Sequence, residues 1–147
     1  MSSMPKTPVP EWRESARLLV ADADPFTGRL LASIGGSESY QIVSVEDGRE
    51  AYQTLKSDGD FKAVILNATL PNVEGVEIVR YMKTEGRLMH IPIVVLGGVG
   101  GLKLISECFA AGAIAFLIKP FSAEHLRRTL QMATSNQASK ILKGRLA

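Results

Sequence analysis

The chain has 147 residues, 46% of them hydrophobic and 22% charged, proportions that suit one globular domain with a sizeable core and exclude disordered and fibrous classes. A lone cysteine, Cys108, excludes a disulfide scaffold and a thiolate zinc site, and no apolar stretch approaches the roughly 18 to 20 residues that cross a bilayer. The formal charge of +2 is unevenly placed: residues 1–139 carry 14 basic and 15 acidic groups, and Lys140, Lys143 and Arg145 form a basic tail, so the near-neutral body argues against nucleic acid as a partner.

Residues 1–16 read as an N-terminal extension without the apolar centre of a signal peptide, and a cytoplasmic protein is the expectation. Leu18, Leu19, Val20 and Ala21 form a buried-strand run that ends in Asp22, Ala23, Asp24 and Pro25. Asp24 fits an N-cap and Pro25 the first helical position. Phe26, Leu30 and Ile34 recur every four residues and are expected to share the buried face of that helix, which Gly35 and Gly36 stop. Residues 40–45 alternate as a strand does, and Asp47 and Gly48 lead into a helix with Ala51 and Leu55 on one side.

Ala63, Val64, Ile65 and Leu66 compose a strand buried on both faces, followed by a loop through Pro71 and a helix with Val76, Val79 and Met82 inward. Residues 91–96 form the next strand. Leu104, Ile105, Cys108 and Ala111 mark a helix that Gly112 ends; residues 115–118 form the last strand, and Ser122 caps a helix carrying Leu126 and Leu130. Strands alternating with helices at this spacing predict βαβ units, a parallel sheet and right-handed crossovers. In such sheets the working residues lie at the carboxyl ends of the strands, here Asp22 to Asp24, Asn67, Gly97 and Gly98, and Lys119.

The run from Leu18 to Pro25, then Leu66-Asn67-Ala68-Thr69-Leu70-Pro71 with Gly75, then Pro92 to Leu96, then Gly112-Ala113 and Phe116-Leu117-Ile118-Lys119-Pro120-Phe121 resembles the response-regulator receiver (CheY-like) domain of two-component signalling. The resemblance covers about residues 17–132. It implies a doubly wound, flavodoxin-like α/β fold with five parallel strands in the order 2-1-3-4-5 and helices on both faces, with a receiver-like domain at 17–133 and a basic tail or helix extension at 134–147. It also implies phosphoryl transfer from a kinase histidine to an aspartate after the third strand, assisted by magnesium, an acidic pair, a hydroxyl residue and a lysine.

By motif position the acceptor falls on Asn67, the acidic pair on Asp22 and Ala23, the hydroxyl on Gly97, the lysine on Lys119 and the aromatic switch on Phe116. Asn67 has no carboxylate to form an acyl phosphate, Ala23 removes a metal ligand, and Gly97 lacks the hydroxyl that senses the phosphoryl group. These departures predict a pseudo-receiver that is not an enzyme, uses no cofactor and binds metal weakly or not at all. Asp22, Ala23, Asp24, Asn67, Gly97, Phe116 and Lys119 then form a degenerate phosphorylation pocket. Lys119 is expected to pair with Asp22, with Asn67 bridging both, while Asp24 caps its helix and Phe116 and Cys108 are buried.

Two functions are carried forward. One is a phosphorylation-independent interaction module whose partner, a kinase, an output protein or a second copy, meets the fourth helix, fifth strand and fifth helix at residues 102–112, 115–119 and 122–132. The other is a sensor that takes a small anion or nucleotide where Gly97 leaves room. The glycine run 97–101 lacks the Gly-Lys-Ser/Thr of a phosphate loop and reads as a mobile loop. His90 and His125 have no companion ligands nearby in sequence, so a metal role for either is not expected.

Overall fold

Five short strands, each rich in Val, Leu and Ile, pair in parallel in the order β2-β1-β3-β4-β5. The computed structural model describes residues 16–33 and 40–135. The elements run β1 (Arg17–Ala21), α1 (Pro25–Ser33), β2 (Gln41–Val45), α2 (Gly48–Ser57), β3 (Ala63–Asn67), α3 (Gly75–Thr84), β4 (Ile93–Gly97), a 3₁₀ turn (Val99–Gly101), α4 (Leu102–Ala111), β5 (Ala115–Ile118) and α5 (Ala123–Thr134). No helix among the described residues is long and apolar enough to cross a membrane. The proposed extension and tail lie outside the described residues, apart from Ala16, Thr134 and Ser135.

Side chains alternate across a strand, and the two faces of the sheet therefore build two cores. Leu19, Ala21, Val64, Leu66, Ile93 and Val95 face α2, α3 and α4, where they meet Ala51, Leu55, Ile78, Val79, Met82, Ile105 and Cys108. Leu18, Val20, Ile65, Val94, Leu96 and Leu117 face α1 and α5, against Leu31, Leu126, Leu130 and Ala133. Caps set the helix starts: Asp47 accepts the Glu50 N–H at 2.8 Å and Ser122 accepts the His125 N–H at 3.0 Å. Gly112 closes α4 at φ 130, where a side chain would be strained, and its N–H meets the Cys108 and Phe109 carbonyls.

Three local expectations are corrected. In α1 the buried residues are Thr27 and Leu31, whereas Phe26 is 45% exposed and Ile34 lies outside the described residues. The Thr27 hydroxyl is drawn inward by Asp22, and that turns the helix by one position relative to the expected stripe. The fourth strand runs Ile93–Gly97 rather than the expected 91–96: the Ile91 N–H is taken by the Leu88 carbonyl at 3.0 Å in the preceding turn, and Gly97 accepts the Lys119 N–H at 2.7 Å and so stays in the ladder. The glycine run is thus not a plain loop: after Gly97, residues Val99–Gly101 make a 3₁₀ turn in which Gly101 donates to the Gly98 carbonyl.

Candidate functional site

Strand register assembles the site. Ala21 pairs with Leu66, Asn67 with Leu96, and Gly97 with Ile118. Asp22, Asn67, Gly97 and Lys119 consequently come together along the carboxyl edge of four adjacent strands, where side chains leave the ladder and face one crevice.

Asp22 is the hub, with a side chain only 2% exposed. Its Oδ1 accepts the Asp24 N–H at 3.1 Å and Asn67 Nδ2 at 3.0 Å. Its Oδ2 accepts the Thr27 hydroxyl at 2.8 Å and pairs with Lys119 Nζ at 2.8 Å. Four donors match the roughly four acceptor sites of a carboxylate, so the group is saturated. Burial by itself would push the Asp22 carboxyl up. The Lys119 ammonium, the Asp24 amide, the Thr27 hydroxyl and the Asn67 amide outweigh it, and the carboxyl titrates below its ordinary range.

The Asn67 amide has one arrangement that serves both ends: Nδ2 donates to Asp22 while Oδ1 accepts the Thr69 N–H at 3.0 Å. Lys119 Nζ turns to the Asp22 carboxylate and makes no hydrogen bond to Asn67, so the expected bridge between Asn67 and Lys119 does not form among the described residues. Lys119 instead lies 3.7 Å from Asp24 Oδ2 as its second, longer contact. Asp24 itself accepts the Phe26 N–H at 3.0 Å, the N-cap its position before Pro25 predicts. Ala23, exposed beside it, contributes no polar side chain.

Two further expectations fail for reasons that involve α4. Gly97 is buried, and a β-carbon there would lie 2.8 Å from Ile105 Cδ1, so Ile105 fills the room expected to stand open. Phe116 is 46% exposed rather than buried. Ala115 and Leu117 take the inward positions of β5 toward α1 and α5, which leaves Phe116 on the opposite side at the sheet edge. There it meets Phe109 of α4 edge to face, with centroids 5.5 Å apart at 83°.

Sequence reasoning missed Thr27, whose signal was its place in the first turn after the capped strand end. It also missed a buttress beside the site. Gly48 donates to the Pro71 carbonyl at 2.9 Å, and Asn72, at φ 73, donates from Nδ2 to Asp47 Oδ2 at 3.1 Å. The loop after β2 is thereby tied to the loop after β3.

Residues 18–131 match the family model described as the response regulator receiver domain. The chain belongs to that family. This receiver is 26% identical over 117 residues to the chemotaxis protein CheY1 of Helicobacter pylori, spanning 79% of this chain and 94% of that protein. It is also 26% identical over 124 residues to the two-component response regulator-like APRR5 of Arabidopsis thaliana, spanning 84% of this chain and 22% of that protein. The solved chemotaxis response regulator CheY4 of Vibrio cholerae superposes with a TM-score of 0.70 at 27% identity, spanning 80% of this receiver and 98% of that chain. The order β2-β1-β3-β4-β5 with five helices is the CheY-like, flavodoxin-like arrangement. As a response regulator receiver, the domain is a module of two-component signalling.

Proposed function

We propose that this receiver works as a phosphorylation-independent interaction module of two-component signalling, presenting the face made by α4, β5 and α5 to a signalling partner in the cytoplasm. The observation that carries the reading is the hydrogen bond from Asn67 to Asp22: an amide, bound into a saturated network, stands where the family places its acceptor carboxylate. No acyl phosphate forms on an amide, and the one hydroxyl that meets the Asp22 carboxylate, that of Thr27, is fully buried and out of a substrate's reach. The reading is therefore of a module without catalysis.

The same residues do not fit a magnesium ion. Ala23 offers no oxygen, Asp22 has its acceptor sites taken, and the Lys119 ammonium already stands 2.8 Å from the carboxylate as its counter-charge. Among the described residues no group of three or more His, Cys, Asp and Glu side chains is gathered as a metal cluster.

The partner-facing surface is supported by the exposed pair Phe109 and Phe116 together with Leu102, seven residues before Phe109 and on the same helix face. Aromatic side chains exposed side by side are the composition of an interface centre. The partner is a kinase, an output protein or a second copy, and residues 17–133 form the unit that binds it. A second reading, a small anion or nucleotide as ligand, has one observation in favour: nothing stands within 4 Å of the β-carbon positions of Gly98, Gly100 and Gly101 at the start of α4. Lys119, the cation such a ligand would need, is committed to Asp22.

Incubation with acetyl phosphate and magnesium, read by intact mass, tests the main reading. No phosphoryl adduct is expected, and an adduct that maps to an aspartate of the site overturns it. A thermal-shift series with phosphate and nucleotides separates the second reading, for which a saturable rise in Tm is required.

A further inference from the structure

We infer that α4 carries an internal lock, in which Ile105 packs against Gly97 and Phe109 meets Phe116 edge to face, so that the ends of β4 and β5 are held in one arrangement against this helix. The inference deepens the phosphorylation-independent reading above by naming what replaces the covalent switch.

Ile105 and Phe109 are four residues apart on one helix, so they project on adjacent turns of the same side. Ile105 is buried, and its Cδ1 and Cγ1 would stand 2.8 and 3.2 Å from a β-carbon at position 97. The volume of the missing side chain is thus occupied by the outer carbons of Ile105, whose χ1 is restricted by β-branching. One turn on, the Phe109 ring meets Phe116 edge to face and holds it at the outer surface.

The far end of α4 is fixed as well. Gly112 ends the helix beneath the stem of Lys83, whose Cε and Cγ would each lie 2.9 Å from a β-carbon there, and Lys83 Nζ donates to the Met89 carbonyl at 3.0 Å. At the near end, Gly98, Gly100 and Gly101 face open space and would by themselves let the helix pivot. The Ile105 contact and the edge-to-face ring pair oppose that pivot. A packed element changes position by passing between discrete arrangements, and here each contact must break before α4 can do so.

The test is amide hydrogen exchange by NMR on the full chain, with α2 as the internal reference, together with fluorine NMR of the chain carrying 4-fluorophenylalanine. Phe116→Tyr assigns the Phe116 resonance. The wild-type chain is expected to show one Phe116 resonance. Phe109→Ala and Ile105→Ala are each expected to raise α4 exchange about tenfold relative to α2 and to broaden or split that resonance. Two Phe116 resonances in the wild type, or an unchanged α4 to α2 ratio in the variants, overturn the lock. Should Ile105→Ala fail to fold, Ile105→Val carries the same comparison with a smaller rise, and no rise there counts against the lock. A phosphoryl adduct in the mass experiment removes the functional reading and leaves the exchange result to stand or fall separately.

Discussion

The side-chain amide of Asn67 donates to Asp22 Oδ1 at 3.0 Å, tying the end of β3 to the end of β1. Replacing that amide with a carboxylate, Asn67→Asp, exchanges a donor for a second negative charge against a buried one. We expect a loss of about 1 to 2 kcal/mol at pH 7 from the lost hydrogen bond and the like charges. The loss should shrink as pH falls and one of the two carboxyls takes a proton. Thermal melts of both chains across pH 4 to 7, in the order-of-magnitude range where carboxyls titrate, check this; a variant that melts with the wild type throughout contradicts it.

Lys119 and Asp22 predict an acid limb to stability. Because the folded carboxyl titrates below its unfolded value, the stability it contributes is full above about pH 4 and is lost as pH falls through the lower folded value. Lys119→Met removes the counter-charge and leaves three neutral donors against the burial of Asp22, so its carboxyl should titrate higher than in the wild type. The expected cost is on the order of 3 kcal/mol near neutral pH, shrinking in acid where the variant's Asp22 is protonated. Urea unfolding of both chains at neutral and acid pH measures the difference.

Gly97 and Ile105 compete for one volume, and their substitutions should not add. Gly97→Thr alone forces Ile105 off its rotamer and is expected to cost about 1 to 3 kcal/mol. Ile105→Ala alone leaves a cavity costing roughly 2 to 5 kcal/mol. In the double variant the new side chain takes up part of that cavity, and the combined loss should fall short of the separate ones by at least about 0.5 kcal/mol. Additive losses would show that the two sites do not share space.

Two glycines should respond in opposite directions to alanine. A β-carbon at Gly48 would run into the Val73 carbonyl and break the tie between the loops after β2 and β3. We expect Gly48→Ala to lower stability by more than about 2 kcal/mol. Gly100 has open space around its β-carbon position, so Gly100→Ala should be neutral or stabilising by up to about 1 kcal/mol, mainly by restricting the unfolded chain. Chemical denaturation midpoints rank the pair, and the reverse order would refute the packing argument.

Cys108 is fully buried against the α2, α3 and α4 side of the sheet, and burial pushes its thiol up to about 11. A protonated, enclosed thiol is a poor nucleophile. In the native chain it should react with an aromatic disulfide reagent only at the rate of unfolding, and at once in denaturant. Fast reaction in native buffer would show that the helix packing opens locally.

How far the residues themselves reach is visible site by site. The order of strands and helices, the caps at Asp24 and Ser122, the stop at Gly112 and the pairing of Lys119 with Asp22 all follow from local chemistry and parallel topology. The fates of Phe26, Gly97 and Phe116 did not follow, because each depends on which residue of a distant element arrives opposite. Asp22 turns α1 through Thr27, and α4 delivers Ile105 and Phe109.

Composition and order of residues alone therefore determine a near-neutral α/β domain of the receiver family, and which side chains stand at the ends of its strands. That Ala23, Asn67 and Gly97 carry neither a carboxylate nor a hydroxyl is plain in one dimension, since functional groups are a property of single residues. Whether the altered pocket stands open or closed was decided only in three dimensions. Hydrogen-bond saturation of Asp22 and occupation of the space at Gly97 depend on donors and volume brought from other strands and helices.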